Sequence, residues 1–191
     1  MIKYSVFIGF VIQMVSAFLY CRAIIKKQAT PERTTWLLWA TIPFVATVIA
    51  LRGGAGLAAL PVFASGLAPL IVLSVAIILR SGKWSFSVLS IVCLIIAVIS
   101  LVIEVFGSSF VAALAVLSAE FAATLPTLAK SWKSPRTESV GAYILSFISA
   151  STALLAVNRW TIQQASFPIL VMILMAAIVL IIVLRRRVSN E

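Results

Sequence analysis

The sequence contains no histidine and only two cysteines, Cys21 and Cys93. Histidine is the usual metal ligand and the usual general base at neutral pH, so its absence removes the commonest route to either role. The two cysteines lie far apart, within or beside apolar stretches, which predicts neither a metal site nor a disulfide framework. No apolar stretch holds a Ser/Lys pair or a carboxylate pair at catalytic spacing. We therefore expect no metal, no cofactor and no enzymatic activity.

Charged residues are also scarce. They make up 10% of the 191 residues, whereas 63% are hydrophobic and the mean hydropathy is +1.19. A soluble domain of this length cannot bury so much apolar surface, which predicts an integral membrane protein. The net charge of +10 comes from Lys and Arg in short loops beside apolar stretches, where they set topology and meet anionic lipid headgroups. The expected partner is the bilayer, with anionic headgroups on the cytoplasmic side, and not nucleic acid.

Seven apolar stretches approach the roughly 20 residues that a helix needs to cross a bilayer. They are continuously apolar and do not alternate, which predicts helices and not strands. The expected spans are 4–25, 34–51, 57–79, 85–106, 110–129, 139–157 and 165–184. The first exceeds the apolar core of a signal peptide, about 7–15 residues, and is interpreted as a membrane helix.

Lysine and arginine are divided unevenly between the two ends of such a bundle. The end that holds the N-terminus has three: Lys3, Arg52 and Arg159. The other end has twelve: Arg22, Lys26, Lys27, Arg33, Arg80, Lys83, Lys130, Lys133, Arg136, Arg185, Arg186 and Arg187. The positive-inside rule predicts an outside N-terminus and a cytoplasmic C-terminus.

A hairpin design occurs twice. Residues 119–139, AEFAATLPTLAKSWKSPRTES, join one span to the next through a short basic loop, and KKQATPERTT at 26–35 has the same design 104 positions earlier. At this offset the matching pairs are Lys26 with Lys130, Thr30 with Ser134, Pro31 with Pro135, and Thr35 with Ser139. Thr30 and Ser134 are expected to cap the helices that follow, with the prolines at the first helical position. The duplication predicts two three-helix units of the same orientation, 1–80 and 108–191.

Two such units need one span between them, because three spans leave the chain on the opposite side of the membrane from where it started. The fourth span, within 81–107, is the predicted linker. Between 85 and 106 it has no Gly, no Pro and one Ala, which suits a lipid-facing helix because close packing favours small residues. The alanine-rich fifth span is expected in the interior. The predicted fold is an all-α membrane protein of seven transmembrane helices in a 3+1+3 plan.

This plan resembles the SWEET and PQ-loop group of transporters. The segment LPTLAKSW at 125–132 is similar to the Pro-Gln motif of the group, with Thr127 in place of Gln, and PERTTWLLW at 31–39 is similar to small bacterial members. In the first unit Arg22 stands where Pro126 stands in the second. The resemblance implies a bacterial cytoplasmic membrane protein that carries a small-molecule solute, and a homo-oligomer is compatible with it. SWEET sugar carriers use asparagines on the third and seventh helices, and 57–79 and 165–184 contain none, which argues against a sugar.

Glu120 is the leading candidate for a functional residue. It lies about ten residues, roughly 15 Å, into its span, where an ionised carboxylate costs several kcal/mol unless it is paired or hydrated. We expect it to be protonated near neutral pH and to couple protons or bind substrate. The resemblance supports this, since some PQ-loop transporters couple protons through an acidic residue near the motif. The alternative is a neutral, hydrogen-bonded Glu120 that joins helices. Its repeat mate is Ser16.

Aromatic and hydroxyl residues at helical spacing are candidates for lining a cavity. They are Trp39, Thr47, Tyr143, Phe147 and Ser151, and Gln13 in the first span is a further candidate. The alternative is that the aromatics form interfacial belts and that the hydroxyls bond their own backbone. Trp36, Trp84, Trp132 and Trp160 are interpreted as belt anchors. Glu104 is interpreted as interfacial, and Glu32 and Glu138 as loop carboxylates paired with nearby Lys or Arg.

Prolines fall within several spans. Each removes a backbone hydrogen bond and can kink its helix. In transporters, interrupted helices in both repeats point to the binding site. The expected hinges are Pro43, Pro61, Pro126 and Pro168.

The leading hypothesis is alternating access around a midplane site, with proton coupling through Glu120. The alternative is a receptor or assembly partner that uses the same seven-helix fold without transport.

Overall fold

The computed structural model describes residues 2–106, 108–157 and 159–188. Within these ranges the chain folds into seven α-helices without a β-strand. They are α1 (Ile2–Ile25), α2 (Arg33–Arg52), α3 (Leu60–Ile78), α4 (Val88–Phe106), α5 (Ser109–Lys133), α6 (Val140–Leu155) and α7 (Ile162–Val188). Short 3-10 helices at Gly56–Ala59 and Pro135–Thr137 precede α3 and α6.

Five of these helices are long and apolar enough to cross a membrane: Tyr4–Ile25, Arg33–Arg52, Gly56–Ile78, Phe110–Lys133 and Ile162–Arg187. The helix Val140–Leu155 is apolar but shorter. The expected spans therefore correspond to helices. The largest differences are the extra turns that extend α5 beyond residue 129 and α7 at both ends.

The helices pack in a regular pattern. Helix α3 packs against both α1 and α2, and α7 packs in the same way against both α5 and α6. Two further contacts join these groups, because α1 packs against α6 and α2 packs against α5. Helix α4 lies outside, against α5 and α2.

Small side chains allow α5 to pack closely. Its buried residues include Ala112, Ala113, Ala119 and Ala123, whereas Phe121 on another face is exposed. The expected interior position therefore holds for one face of α5. Most described side chains of α4, among them Ile91, Ile95, Val98 and Val102, are exposed apolar groups, as a lipid-facing helix requires.

The starts of α2 and α6 differ from the prediction. Thr30 does not cap α2: the cap is Glu32, whose carboxylate accepts hydrogen bonds from the Thr35 amide at 2.7 Å and the Thr35 hydroxyl at 2.6 Å. Ser134 starts the short 3-10 helix and not α6, which begins at Val140. In α2 the longer carboxylate side chain reaches a free amide of the first turn from a residue nearer the helix, so Thr30 is not needed as a cap. The cap position of α6 is Ser139, whose side chain makes no capping bond.

One end of the bundle, here called the basic end, is formed by the loops at 26–32, 79–87 and 134–139 and by Arg185–Arg187. Arg33 ties two of these parts together by donating hydrogen bonds to the carbonyls of Ser81, at 2.9 Å, and Ala76, at 3.2 Å. Gly82 has a φ of +76°, and a Cβ at this position would lie 1.9 Å from the Pro31 carbonyl oxygen. Only glycine fits such a close backbone approach at positive φ.

Candidate functional site

An internal cavity lies among α1, α2, α3, α5, α6 and α7. The space open to the centres of water molecules is about 40 Å³. Its lining residues are Gln13, Ser16, Ala17, Trp36, Trp39, Pro43, Ser65, Ala68, Pro69, Val72, Glu120, Ala142, Tyr143, Ser146, Val171 and Met175. Since a site needs about 10–15 Å³ of such space for each water, the cavity has room for roughly three.

Glu120 is the acidic residue in the described cavity wall. It lies near the middle of α5 and is 3% exposed. Its Oε2 atom is buried and has no hydrogen-bond partner among the described residues. A buried polar oxygen without a partner is costly, so this position calls for a proton, a water or a bound ligand. The alternative of a Glu120 whose side chain joins helices by hydrogen bonds has no support at Oε2.

A short polar path from α1 and α6 lines the same cavity as Glu120. Gln13 Nε2 donates to the Ser146 hydroxyl at 3.3 Å, and the hydroxyls of Ser146 and Ser16 lie 3.0 Å apart. The Ser16 hydroxyl also donates to the Ala142 carbonyl at 2.8 Å. Ser16 is the residue that matches Glu120 at the offset of 104, so matching positions of α1 and α5 line the same cavity.

Four aromatic rings pack beside the cavity and are here called the aromatic cluster. The centroid distances are 4.4 Å for Tyr20–Trp36, 5.4 Å for Trp36–Trp39, 6.3 Å for Trp39–Tyr143 and 6.2 Å for Tyr143–Tyr20. Three of these pairs are nearly perpendicular, with interplanar angles from 75° to 81°. Trp36, Trp39 and Tyr143 reach the cavity, so the cluster forms one wall of it.

Trp39 is held in place by the turn of α5 that carries Glu120. Its Nε1 donates to the Thr124 hydroxyl at 3.2 Å, and that hydroxyl donates to the Glu120 carbonyl at 2.9 Å. These bonds fix the indole ring relative to the Glu120 backbone. A side chain locked in this manner is suited to a binding site, because little ordering remains to be done on binding.

A buried carboxylate network closes the basic end beyond the aromatic cluster. Glu138, 4% exposed, accepts hydrogen bonds from the hydroxyls of Tyr20 at 2.9 Å and Tyr143 at 2.7 Å. It also pairs with Lys130, whose Nζ lies 2.6 Å from Oε1. Lys130 Nζ donates as well to the Thr30 carbonyl. The predicted pairing of Glu138 with a nearby cation is therefore confirmed, but Glu138 is buried and joins parts of the chain that are distant in sequence.

The expected hinge prolines have different surroundings. Pro43, Pro126 and Pro168 lie inside helices, and Pro43 lines the cavity. Pro61 lies in the first turn of α3, directly after the 3-10 helix, where its missing amide removes no bond of the α-helix. Its expected role as a hinge stays a prediction. Pro61 and Pro168 both line a smaller space of about 10 Å³ that shares Gln13 and Ser146 with the main cavity.

Three expected cavity residues do not belong to the described wall of the cavity. The Thr47 hydroxyl donates to the Pro43 carbonyl at 2.7 Å, and the Ser151 hydroxyl donates to the Phe147 carbonyl at 2.9 Å. Both contacts are the local backbone bonds of the alternative interpretation. Phe147 packs half-buried against the core. Gln13, Trp39 and Tyr143 do line the cavity.

Other residues of the site were not expected from the sequence. Trp36, interpreted as a belt anchor, is 8% exposed and lines the cavity. Its spacing from Trp39 and Pro43, three and seven positions, places all three on one face of α2 and would have been a signal. Ser65 and Ser146 carried no such signal. Trp84, Trp132 and Trp160 are exposed, as belt anchors would be, and the side chain of Glu104 lies outside the described residues.

Comparison with family models, with curated proteins and with solved structures finds no match to this chain. The cavity and its surroundings are therefore the basis for a function.

Proposed function

We propose that this protein is an integral membrane transporter for a small polar solute, working by alternating access and coupled to protons through Glu120. The observation that carries the proposal is the buried Oε2 of Glu120, which has no hydrogen-bond partner among the described residues and lies in the wall of a cavity between the helices. A membrane protein that buries a carboxylate without a partner accepts a cost of several kcal/mol, and such residues mark proton and substrate pathways.

The proposed architecture is two similar three-helix units, α1–α3 and α5–α7, with α4 as the linker. In support, α3 packs between α1 and α2 as α7 packs between α5 and α6. The contacts between units are also paired, since α1 packs against α6 and α2 against α5. A site between two like units is the arrangement that alternating access requires. The resemblance to the SWEET and PQ-loop group belongs to this same proposal.

Contacts at the two ends of the bundle would act as alternate closures. At the basic end, Tyr20 of the first unit donates to Glu138 of the second. At the opposite end, Gln164 Nε2 of α7 donates to the Gly53 carbonyl beyond α2 at 2.8 Å. Breaking one set of contacts while keeping the other would expose the cavity to one side at a time. The basic end faces the cytoplasm of a bacterial cell in this proposal, because it carries most of the lysine and arginine.

The test is solute uptake by the purified protein in sealed liposomes with an imposed pH gradient. A panel of neutral, anionic and cationic small molecules is offered, after a thermal-stability screen at two pH values has ranked them, because a ligand stabilises the folded state by mass action. We expect uptake that follows the pH gradient and is lost in Glu120→Gln. Gradient-driven uptake that is unchanged in that variant would remove Glu120 from the mechanism. Binding without flux of any ligand would favour the receptor alternative.

A further inference from the structure

The charged groups of the described cavity wall are of one sign. Glu120 is its acidic member, and none of the described residues that line the cavity is a lysine or an arginine. The polar path from α1 and α6 is neutral, because it consists of the amide of Gln13 and the hydroxyls of Ser16 and Ser146. An anion or a solute carboxylate would meet the Glu120 side chain without a cation to compensate it. The wall therefore favours a positive charge.

The aromatic cluster adds a second feature with the same preference. A cation over the face of Trp, Tyr or Phe is attracted by the negative charge of the ring face, most strongly when water is excluded. Trp36, Trp39 and Tyr143 line the cavity and are each less than 10% exposed. The Tyr143 hydroxyl is occupied by Glu138, so this residue offers its ring and not its polar tip.

The size of the cavity limits the solute. Room for roughly three waters corresponds to about 90 Å³ of liquid, which is the scale of a small alkylated ammonium group. A disaccharide or a large ring system would require the cavity to widen. Prolines in the wall, Pro43 and Pro69, lie inside α2 and α3, where bending can enlarge it modestly.

We propose that the solute is a small organic cation without a carboxylate, held between Glu120 and the wall formed by Trp36, Trp39 and Tyr143. This inference extends the proposed transport function, because the bound cation is a transported solute only if that function holds. The binding site itself rests on the cavity. A zwitterionic amino acid is disfavoured, because its carboxylate would have no cationic partner in the described wall.

The same carboxylate can then hold either a proton or the solute. When the cation binds to protonated Glu120, the proton leaves to the solvent and the charge of the site is unchanged. Each cation bound therefore releases one proton, which gives exchange of the two across the membrane. Where the protonated form predominates, the apparent affinity falls about tenfold for each unit that the pH is lowered.

Other titratable groups lie on the helices that surround the cavity. Tyr143 is the second titratable residue of the wall, and Tyr20, Glu138 and Lys130 lie beyond it. Helices α2 and α7 carry charge only at their ends, and α3 carries none: the charged residues are Arg33, Arg52 and Arg185–Arg187. On α4, the side chains of Cys93 and Glu104 lie outside the described residues. Glu138 is already paired with Lys130, so Glu120 is the group expected to exchange its proton.

The experiment measures equilibrium binding of three probes to the full-length protein in detergent. Choline supplies a quaternary ammonium, 3,3-dimethyl-1-butanol has the same shape without charge, and glycine betaine adds a carboxylate. We expect saturable choline binding, with the other two weaker by about tenfold or more. In weakly buffered solution at a pH where the protonated form predominates, choline binding is expected to release one proton, and the release is expected to fall as the pH is raised. Equal binding of choline and its neutral isostere would overturn the proposal.

Variants separate the two parts of the site. Glu120→Gln is expected to weaken choline binding by about tenfold or more and to abolish proton release, whereas Glu120→Asp keeps the charge and part of the affinity. Trp39→Leu is expected to weaken choline by about tenfold while leaving the neutral isostere unchanged. Trp160→Leu is the matched control, because Trp160 is 71% exposed and is not among the residues that line the cavity. If Glu120→Gln fails to fold, the pH dependence of choline binding and the proton release of the native chain still decide the matter.

Flux in liposomes then distinguishes the two proposals. Choline uptake that drives proton efflux supports both. Glu120-dependent binding without flux supports the cation site and removes transport. Flux of a neutral or anionic solute without choline binding supports transport and removes the cation site. The absence of saturable choline binding by the folded native chain at every pH of a series would also remove it.

Discussion

Lys130 Nζ lies 2.6 Å from Glu138 Oε1, and the same carboxylate accepts hydrogen bonds from Tyr20 and Tyr143 through its other oxygen. One side chain thus joins α1, α5 and α6 at the basic end. Breaking a buried ion pair by removing one partner is costly because the other charge is left without compensation. Removal of one partner is therefore expected to destabilise this end of the bundle.

Glu138→Ala is expected to destabilise the protein by about 3 kcal/mol, the lower end of the range for buried pairs because Lys130 is 23% exposed. It is also expected to loosen the basic end. Cys21, which is buried next to Tyr20, is a natural reporter of this opening. In a Cys93→Ser background, its rate of labelling by a maleimide should rise. Lys133→Ala, at an exposed lysine one turn from Lys130, should leave the rate unchanged.

Glu120→Gln is expected to abolish uptake driven by a pH gradient and to remove the pH dependence of the solute binding that remains, while leaving the helical content intact. The amide has the shape of the protonated acid but cannot release a proton. The measurement is solute binding across a pH series, with circular dichroism as the check on folding. A pH profile like that of the native chain would show that another group carries the proton.

Arg186→Ala is expected to destabilise the protein by about 1–3 kcal/mol. Its guanidinium donates to the carbonyls of Pro135, at 3.0 Å and 3.1 Å, and Glu138, at 2.7 Å, and so holds the loop at 134–139 against α7. The neighbouring Arg187 is exposed and provides the matched control. Thermal unfolding of both variants in detergent checks this, and equal stabilities would contradict the assigned contacts.

Gly82→Ala is expected to destabilise the protein by more than about 1–2 kcal/mol, the cost of a positive φ alone. The additional cost comes from the new Cβ, which would lie 1.9 Å from the Pro31 carbonyl oxygen. Gly56→Ala separates the two effects, since Gly56 has a φ of +53° but nothing within 4 Å of the added Cβ. The midpoint temperature of thermal unfolding should be clearly lower for Gly82→Ala than for Gly56→Ala. Similar midpoints would mean that the loop at residue 82 moves to accommodate the added Cβ.

The helices were predictable because their signal is local. Continuous apolar stretches of span length, cut by charges and by Gly and Pro, correspond to α1 through α7 within a few residues. Helix starts were less predictable. Thr30 is a good cap by residue type, yet Glu32 caps α2 because its carboxylate reaches the free amide of Thr35.

The candidate site was predictable only in part. Glu120 stands out because a lone carboxylate in an apolar span is costly wherever it points. Trp39 and Tyr143 were found by helical spacing, but the same spacing suggested Thr47 and Ser151, whose hydroxyls bond carbonyls of their own helices. Spacing along a helix identifies a face, and it does not identify what that face meets.

By itself, the amino-acid sequence determined that this chain is an apolar helical membrane protein with one deep carboxylate and a basic end, since composition and hydropathy act on each segment separately. Only the tertiary structure decided that Ser16 and Glu120 line one cavity, that three rings of the aromatic cluster belong to its wall, and that Glu138 bonds both tyrosines of that cluster. Those relationships join residues more than 100 positions apart, and the packing of α1 against α6 and of α2 against α5 brings them together.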